Sequence, residues 1–137
     1  MVALWRDQHE GTSRGSLLIA DPEEAPRREL DDLFRREGCR THLATDDAEA
    51  VQIVRHERID VVIVDLDLPR HGGLEVVRTL QQATDHEVPC VVTALEVSGR
   101  VQMDALNEGA YAVVPKPFDE DLLKRLVLSL LAGGHLF

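Results

Sequence analysis

The segment "DVVIVDLDLPRHGG", Asp60 to Gly73, joins an apolar run to a set of carboxylates. Val61 to Val64 reads as the centre of a buried sheet, yet the run ends in Asp65, with Asp67 two residues on and Pro69 closing the turn. A strand that is apolar on both faces belongs in a parallel sheet covered by helices on each side. Such a strand delivers a carboxylate to the rim of the sheet without burying it in the core.

Outward from this strand the same alternation repeats. "SLLIA" (Ser16 to Ala20) is a strand running into Asp21-Pro22, and Arg27 to Glu37 sets Leu30, Leu33 and Phe34 at helical spacing with Gly38 as its stop. "RTHLA" (Arg40 to Ala44) is a second strand, and Thr45-Asp46 offers an N-cap to a helix through Ala50, Ile53 and Val54. After Gly72-Gly73 a helix carries Leu74, Val76, Val77 and Leu80; "PCVVTA" (Pro89 to Ala94) is a fourth strand, and Gly99 to Glu108 a weaker helix. A fifth strand, Tyr111 to Val114, leads through Pro115-Lys116-Pro117 to a last helix opened by Phe118-Asp119 and continuing to Leu131. Five strand-helix pairs predict an α/β fold with a doubly wound parallel sheet and a crevice at the carboxyl ends of its strands. Asp21, Asp65, Thr93 and Lys116 all fall at that rim.

Composition narrows the function. The 137 residues suit one domain, and 15 Lys+Arg against 25 Asp+Glu give a net charge of -10, which disfavours direct binding to nucleic acid or anionic membranes. Cys39 and Cys90 have no C-x-x-C spacing and read as reduced packing residues of the cytosol, and the six histidines show no metal-ligand interval. No apolar run is long enough to span a bilayer, and the charged opening is unlike a signal peptide, so a soluble cytoplasmic protein is expected. Residues 1–15 read as a mobile N-terminal tail, with Trp5 either a loose tail residue or an anchor; residues 16–132 form the domain and 133–137 a C-terminal tail.

Two neighbouring carboxylates repel unless a cation lies between them, and Mg²⁺, held by one or two carboxylates and waters, resolves that repulsion. A carboxylate can then attack a phosphoryl group to give an acyl phosphate, while an ammonium and a hydroxyl, Lys116 and Thr93, meet the charge on the phosphoryl oxygens. Taken singly, Asp65 reads equally well as a strand-end cap, Thr93 as a β-former and Lys116 as a solvated charge.

Together, "LLIAD", "DVVIVDLDLP", "VVTA" and "VPKPF", in this order and at these intervals, resemble the receiver domain of two-component response regulators from Ser16 to about Leu131. The resemblance implies a flavodoxin-like (βα)5 fold with strand order 2-1-3-4-5. It also implies a phosphoacceptor at Asp65, a metal-site acid at Asp21, a backbone carbonyl ligand from Asp67, a switch hydroxyl at Thr93, and a phosphate-pairing Lys116 followed by a cis bond to Pro117. The implied cofactor is Mg²⁺, and the implied phosphodonor is a histidine kinase or phosphotransfer protein.

Two positions depart from the family pattern. Pro22 stands where a second acid usually ligates the metal, leaving Glu23 or Glu24 as substitute ligands. Val113 stands where the family usually has an aromatic, and Tyr111 is placed one pleat step earlier on the same face. A degenerate receiver acting as a phosphorylation-independent interaction module is therefore one alternative. A haloacid-dehalogenase-type phosphatase, from the D-x-D of Asp65 to Asp67, is another, although that pair normally follows the first strand. The last helix carries Leu122, Leu123, Leu126, Val127, Leu128, Leu130 and Leu131, an arc wider than one sheet face needs. This predicts a surface of fourth helix, fifth strand and last helix that binds a downstream protein or a second copy. The end at "LAGGHLF" leaves no room for an output domain, so the chain either acts through protein contacts or is a fragment.

Overall fold

Hydrogen bonding links five parallel strands in the order β2-β1-β3-β4-β5, as expected from the family pattern. They are β1 (Ser16–Ala20), β2 (Arg40–Ala44), β3 (Val61–Asp65), β4 (Cys90–Ala94) and β5 (Ala112–Pro115), joined by α1 (Glu24–Arg36), α2 (Asp47–His56), α3 (Gly73–Ala83) and α4 (Gly99–Asn107), with α5 (Glu120–Leu131) last. The computed structural model describes residues 13–83 and 87–133. Trp5, residues 1–12 of the expected N-terminal tail and residues 134–137 of the C-terminal one lie outside the described residues. Of the rest, the Arg14 amide donates to the Gly38 carbonyl at 3.1 Å and the Gly15 carbonyl accepts from the Arg40 amide at 2.9 Å.

The pleat sends successive side chains of each central strand to opposite faces. Leu18, Ala20, Val62, Val64, Cys90 and Val92 pack under α2, α3 and α4 with Ala50, Val76, Val77, Leu80 and Ala105. Leu17, Ile19, Val61, Ile63, Val91 and Val114 pack under α1 and α5 with Leu30, Leu33, Phe34, Leu123, Leu126 and Val127. Two cores on one sheet explain why the strands read as continuous apolar runs. Both cysteines are free and buried, and burial pushes the Cys90 thiol up to about 12.

Helix ends follow local chemistry. Asp46, Ser98 and Asp119 cap α2, α4 and α5 by accepting from the amides of Glu49, Val101 and Leu122. After α1 the Gly38 amide donates to the Arg35 carbonyl and the Cys39 amide to the Phe34 carbonyl, a Schellman pair that needs Gly38 at φ +86°. Helix α1 starts at Glu24, three residues before the expected Arg27, because Pro26 sits in the first turn, where no intrahelical donor is required.

The wide apolar arc of α5 is mostly consumed by packing: Leu123, Leu126 and Val127 are buried, and Leu128, Leu130 and Leu131 lie against the same core. Leu122 stays exposed, as do Leu95, Met103 and Leu106 on and before α4. The expected shared face of Tyr111 and Val113 is not found. Tyr111 precedes β5 and packs on the α1/α5 side, whereas Val113 packs on the other, because alternation holds only within the strand.

Candidate functional site

The carboxyl ends of β1, β3, β4 and β5 lie side by side, so their last residues converge. Asp21 follows β1 with its amide on the Ala44 carbonyl at 3.0 Å, Asp65 ends β3 in register with Thr93 of β4, and Lys116 follows β5 with its amide on the Ala94 carbonyl at 2.8 Å. Asp21, Asp65 and Thr93 are buried, contrary to the expectation that the strand leaves its carboxylate unburied, because the Lys116 side chain closes over the two acids. The Lys116 side chain, 10% exposed, crosses the crevice and sets Nζ 2.6 Å from Asp21 Oδ2 and 2.6 Å from Asp65 Oδ1. The Lys116–Pro117 peptide is cis.

Each carboxylate oxygen has a donor. Asp21 Oδ1 accepts from the Glu23 amide at 2.9 Å, Asp65 Oδ2 from the Asp67 amide at 3.0 Å, and the Thr93 hydroxyl lies 3.4 Å from Asp65 Oδ1. Burial raises the Asp21 pKa above its ordinary value, even though Lys116 and the Glu23 amide pull the other way. For Lys116 burial pulls down, but the hydrogen bonds to Asp21 and Asp65 outweigh it and hold the ammonium above its ordinary range. Two acids and one base leave a net negative pocket suited to a cation.

The β3–α3 loop is pressed against the site. The Gly73 amide donates to the Leu66 carbonyl at 2.9 Å, and a Cβ on Gly73 would collide with the Asp65 carbonyl oxygen, so only glycine admits this approach.

Asp21, Asp65, Thr93 and Lys116, expected at one rim, meet there as a chain of contacts: Lys116 bridges Asp21 and Asp65, and Thr93 reaches Asp65. Asp67 is beside them through its amide, which donates to Asp65 Oδ2. Glu24 is not: its carboxylate pairs with Arg28 at 2.8 Å on the exposed face of α1. Glu23 contributes its amide, while its residue is exposed. A residue missed in the sequence is Arg27, whose Nη1 donates to the Asp21 carbonyl at 3.0 Å from the first turns of α1.

A hard cation bound mainly by water needs only one or two carboxylates, and the Asp21–Asp65 pair meets that requirement. Among the described residues no group of three or more Asp, Glu, His or Cys forms a fuller metal cage. The donor set fits Mg²⁺ sparsely, because Pro22 has no side-chain oxygen.

Residues 17–128 match the family model described as the response regulator receiver domain. The response regulator MprA of Mycobacterium sp. (strain KMS) is 34% identical over 111 residues, 80% of this chain and 48% of that protein. The chain thus spans about half the length of the curated relatives it matches. The receiver domain of a Francisella response regulator superposes with a TM-score of 0.80 at 23% identity, covering 87% of this chain and 98% of that one. The receiver domain of a sensor histidine kinase from Pseudomonas aeruginosa PAO1, described with a magnesium ion coordinated in its active site cleft, gives 0.78 at 21% identity over 88% and 98%. The chain belongs to the response regulator receiver domain family of two-component signalling.

Proposed function

We propose that this receiver domain, residues 16–132, accepts a phosphoryl group on Asp65 from a phosphohistidine of a partner kinase or phosphotransfer protein. The observation that carries the reading is the Lys116 ammonium bridging Asp21 and Asp65 beside the Thr93 hydroxyl at the carboxyl rim of the sheet. An Asp65 carboxylate oxygen attacks phosphorus and the P–N bond breaks. The bonding pair stays on the imidazole nitrogen, and the imidazole, protonated on its other nitrogen, leaves neutral. Lys116 pairs with the charge on the phosphoryl oxygens, and Thr93 donates its hydroxyl to one of them.

Asp21, Asp65 and the Asp67 carbonyl would hold Mg²⁺, with Glu23 or Glu24 able to join only by rearranging. The chemistry such an ion would supply is neutralisation of charge in the pocket and on the phosphoryl oxygens. The family is a signalling family rather than one of classical enzymes, so self-catalysed gain and loss of the phosphoryl group is the chemistry we assign. The output is a change of protein contacts in the cytoplasm, on the α4–β5–α5 face where Leu95, Met103, Leu106 and Leu122 are exposed.

Intact mass after incubation with acetyl phosphate and Mg²⁺ tests this: one added phosphoryl group, abolished by a chelator, is expected, and no metal-dependent addition overturns it. Pro22 and Val113 favour one rival, a phosphorylation-independent interaction module. For that rival the mass stays unchanged while partner binding is indifferent to Asp65→Asn.

A further inference from the structure

We propose that Asp47, on the first turn of α2, is a positioning residue that latches the tip of the β3–α3 loop and so fixes the backbone of Asp65 and Asp67. This rests on the phosphoacceptor reading of the site. The Asp47 side chain is 6% exposed although it is charged. Its Oδ2 accepts from the His71 ring nitrogen Nδ1 at 2.9 Å and from the His71 amide at 3.3 Å, across 24 residues of sequence. Arg70 Nε lies 4.0 Å from Oδ1, which is buried without a hydrogen bond. Against its burial, the bonds from His71, helped by one from the Ala48 amide, hold the Asp47 carboxyl below its ordinary range.

Helix capping does not account for this carboxylate, because Asp46 already fills that role with its side chain on the Glu49 amide at 2.8 Å. The far end of the contact matters more. Arg70, at φ +82°, is the one non-glycine residue with positive φ among the described residues, a conformation that persists where surrounding contacts enforce it. At its base the loop is tied by Gly73 to Leu66 and by the Asp67 amide to Asp65, and Leu68 anchors it in the core. Its exposed tip, Arg70 and His71, is held across the fold by Asp47. The two ends of one short segment are thus pinned, one on the phosphoacceptor carboxylate and one on α2. Releasing the outer pin lets the Asp67 peptide wander, and small misplacements of a site group are costly to both ion binding and reaction rate.

The test compares Asp47→Ala, Asp47→Asn, His71→Ala and Asp46→Ala in amide-resolved NMR and Mg²⁺ titration of the whole chain, with acetyl phosphate as phosphodonor. Asp47→Ala should shift the amides of Asp67 to Gly72, speed their hydrogen exchange about tenfold, and weaken Mg²⁺ binding and slow phosphorylation by roughly fivefold or more. Asp47→Asn, which keeps an acceptor for the His71 amide, should stay close to wild type in each readout, and His71→Ala, at a side chain 69% exposed, should show part of the Asp47→Ala effect in a folded protein. Asp46→Ala destabilises α2 without touching the loop, so it should lower the melting temperature and leave loop amides and Mg²⁺ affinity unchanged. Loop amides unmoved in both Asp47→Ala and His71→Ala overturn the proposal, as does an equal response to Asp46→Ala. If wild type takes no phosphoryl group on Asp65, the phosphoacceptor reading fails by itself, and the latch is decided by the loop amides.

Discussion

Replacing Lys116 by Met removes the one cation in contact with both site carboxylates while keeping the length of the buried stem. At 2.6 Å from each acid, the ammonium gains roughly 6 kcal/mol of gross attraction per partner at an effective dielectric of about 20. Desolvation of three charges offsets most of this, and breaking a buried pair typically costs about 3–5 kcal/mol net. With the crevice open on one side, the lower end applies, about 3 kcal/mol at pH 7.5, or a fall in melting temperature of roughly 10 °C. The sign with pH is fixed by Asp21. Burial already raises its folded pKa above the unfolded value of 3.8, and removing Lys116 raises it further. A group shifted that way contributes stability that is fully present below pH 3.8 and lost as pH rises through the folded pKa. The deficit of the variant should therefore shrink as pH is lowered from 7.5 to 4.5, as a proton on Asp21 increasingly replaces the lost cation. At the alkaline end wild type should approach the variant, because Lys116 has a raised pKa and its contribution disappears as pH rises through that value. Urea unfolding of both proteins at pH 4.5 and 7.5 measures this. Equal deficits at the two values, or no deficit at pH 7.5, refute the charge argument.

Pro22→Asp adds the missing carboxylate, so calorimetry should find Mg²⁺ bound about tenfold tighter, with the metal-free protein less stable by about 1 kcal/mol from added repulsion; equal affinity would mean that a glutamate already serves. Gly73→Ala drives a methyl into the Asp65 carbonyl, and thermal unfolding should show a loss of about 1–3 kcal/mol together with slower uptake from acetyl phosphate. Cys90, its thiol pushed up to about 12 by burial, should react with iodoacetamide at neutral pH only as fast as the protein unfolds, which mass spectrometry can follow across a denaturant series.

The fold was legible because its information is local and repetitive. The β1 and β2 boundaries read from "SLLIA" and "RTHLA" coincide with those observed, β3 and β4 differ by one residue at one end, and β5 is shifted by one residue at both ends. The site was legible for the same reason: Asp21, Asp65, Thr93 and Lys116 each end or follow a strand, and a parallel sheet brings strand ends together. What escaped the reading depends on side-chain reach or on where a strand begins. Nothing in the spacing of Arg27 signals that its guanidinium folds back onto the Asp21 carbonyl, or that Glu24 turns outward to Arg28. Asp47 drew no reading from the sequence, because its pairing with His71, 24 residues on, arises only when α2 and the β3–α3 loop pack together. Tyr111 was misplaced because β5 starts one residue later, which puts its side chain outside the pleat alternation.

Whether Asp65 is the phosphoacceptor is decided by the hydroxylamine sensitivity of the label that acetyl phosphate and Mg²⁺ leave on wild type and on Asp65→Asn. An acyl phosphate reacts with hydroxylamine to give a hydroxamate, whereas a phosphate ester on serine or threonine survives. One hydroxylamine-labile phosphoryl group is expected on wild type, with a hydroxamate mapped to Asp65, and no labile group on the variant. A label that resists hydroxylamine, or one that persists in Asp65→Asn, would contradict it.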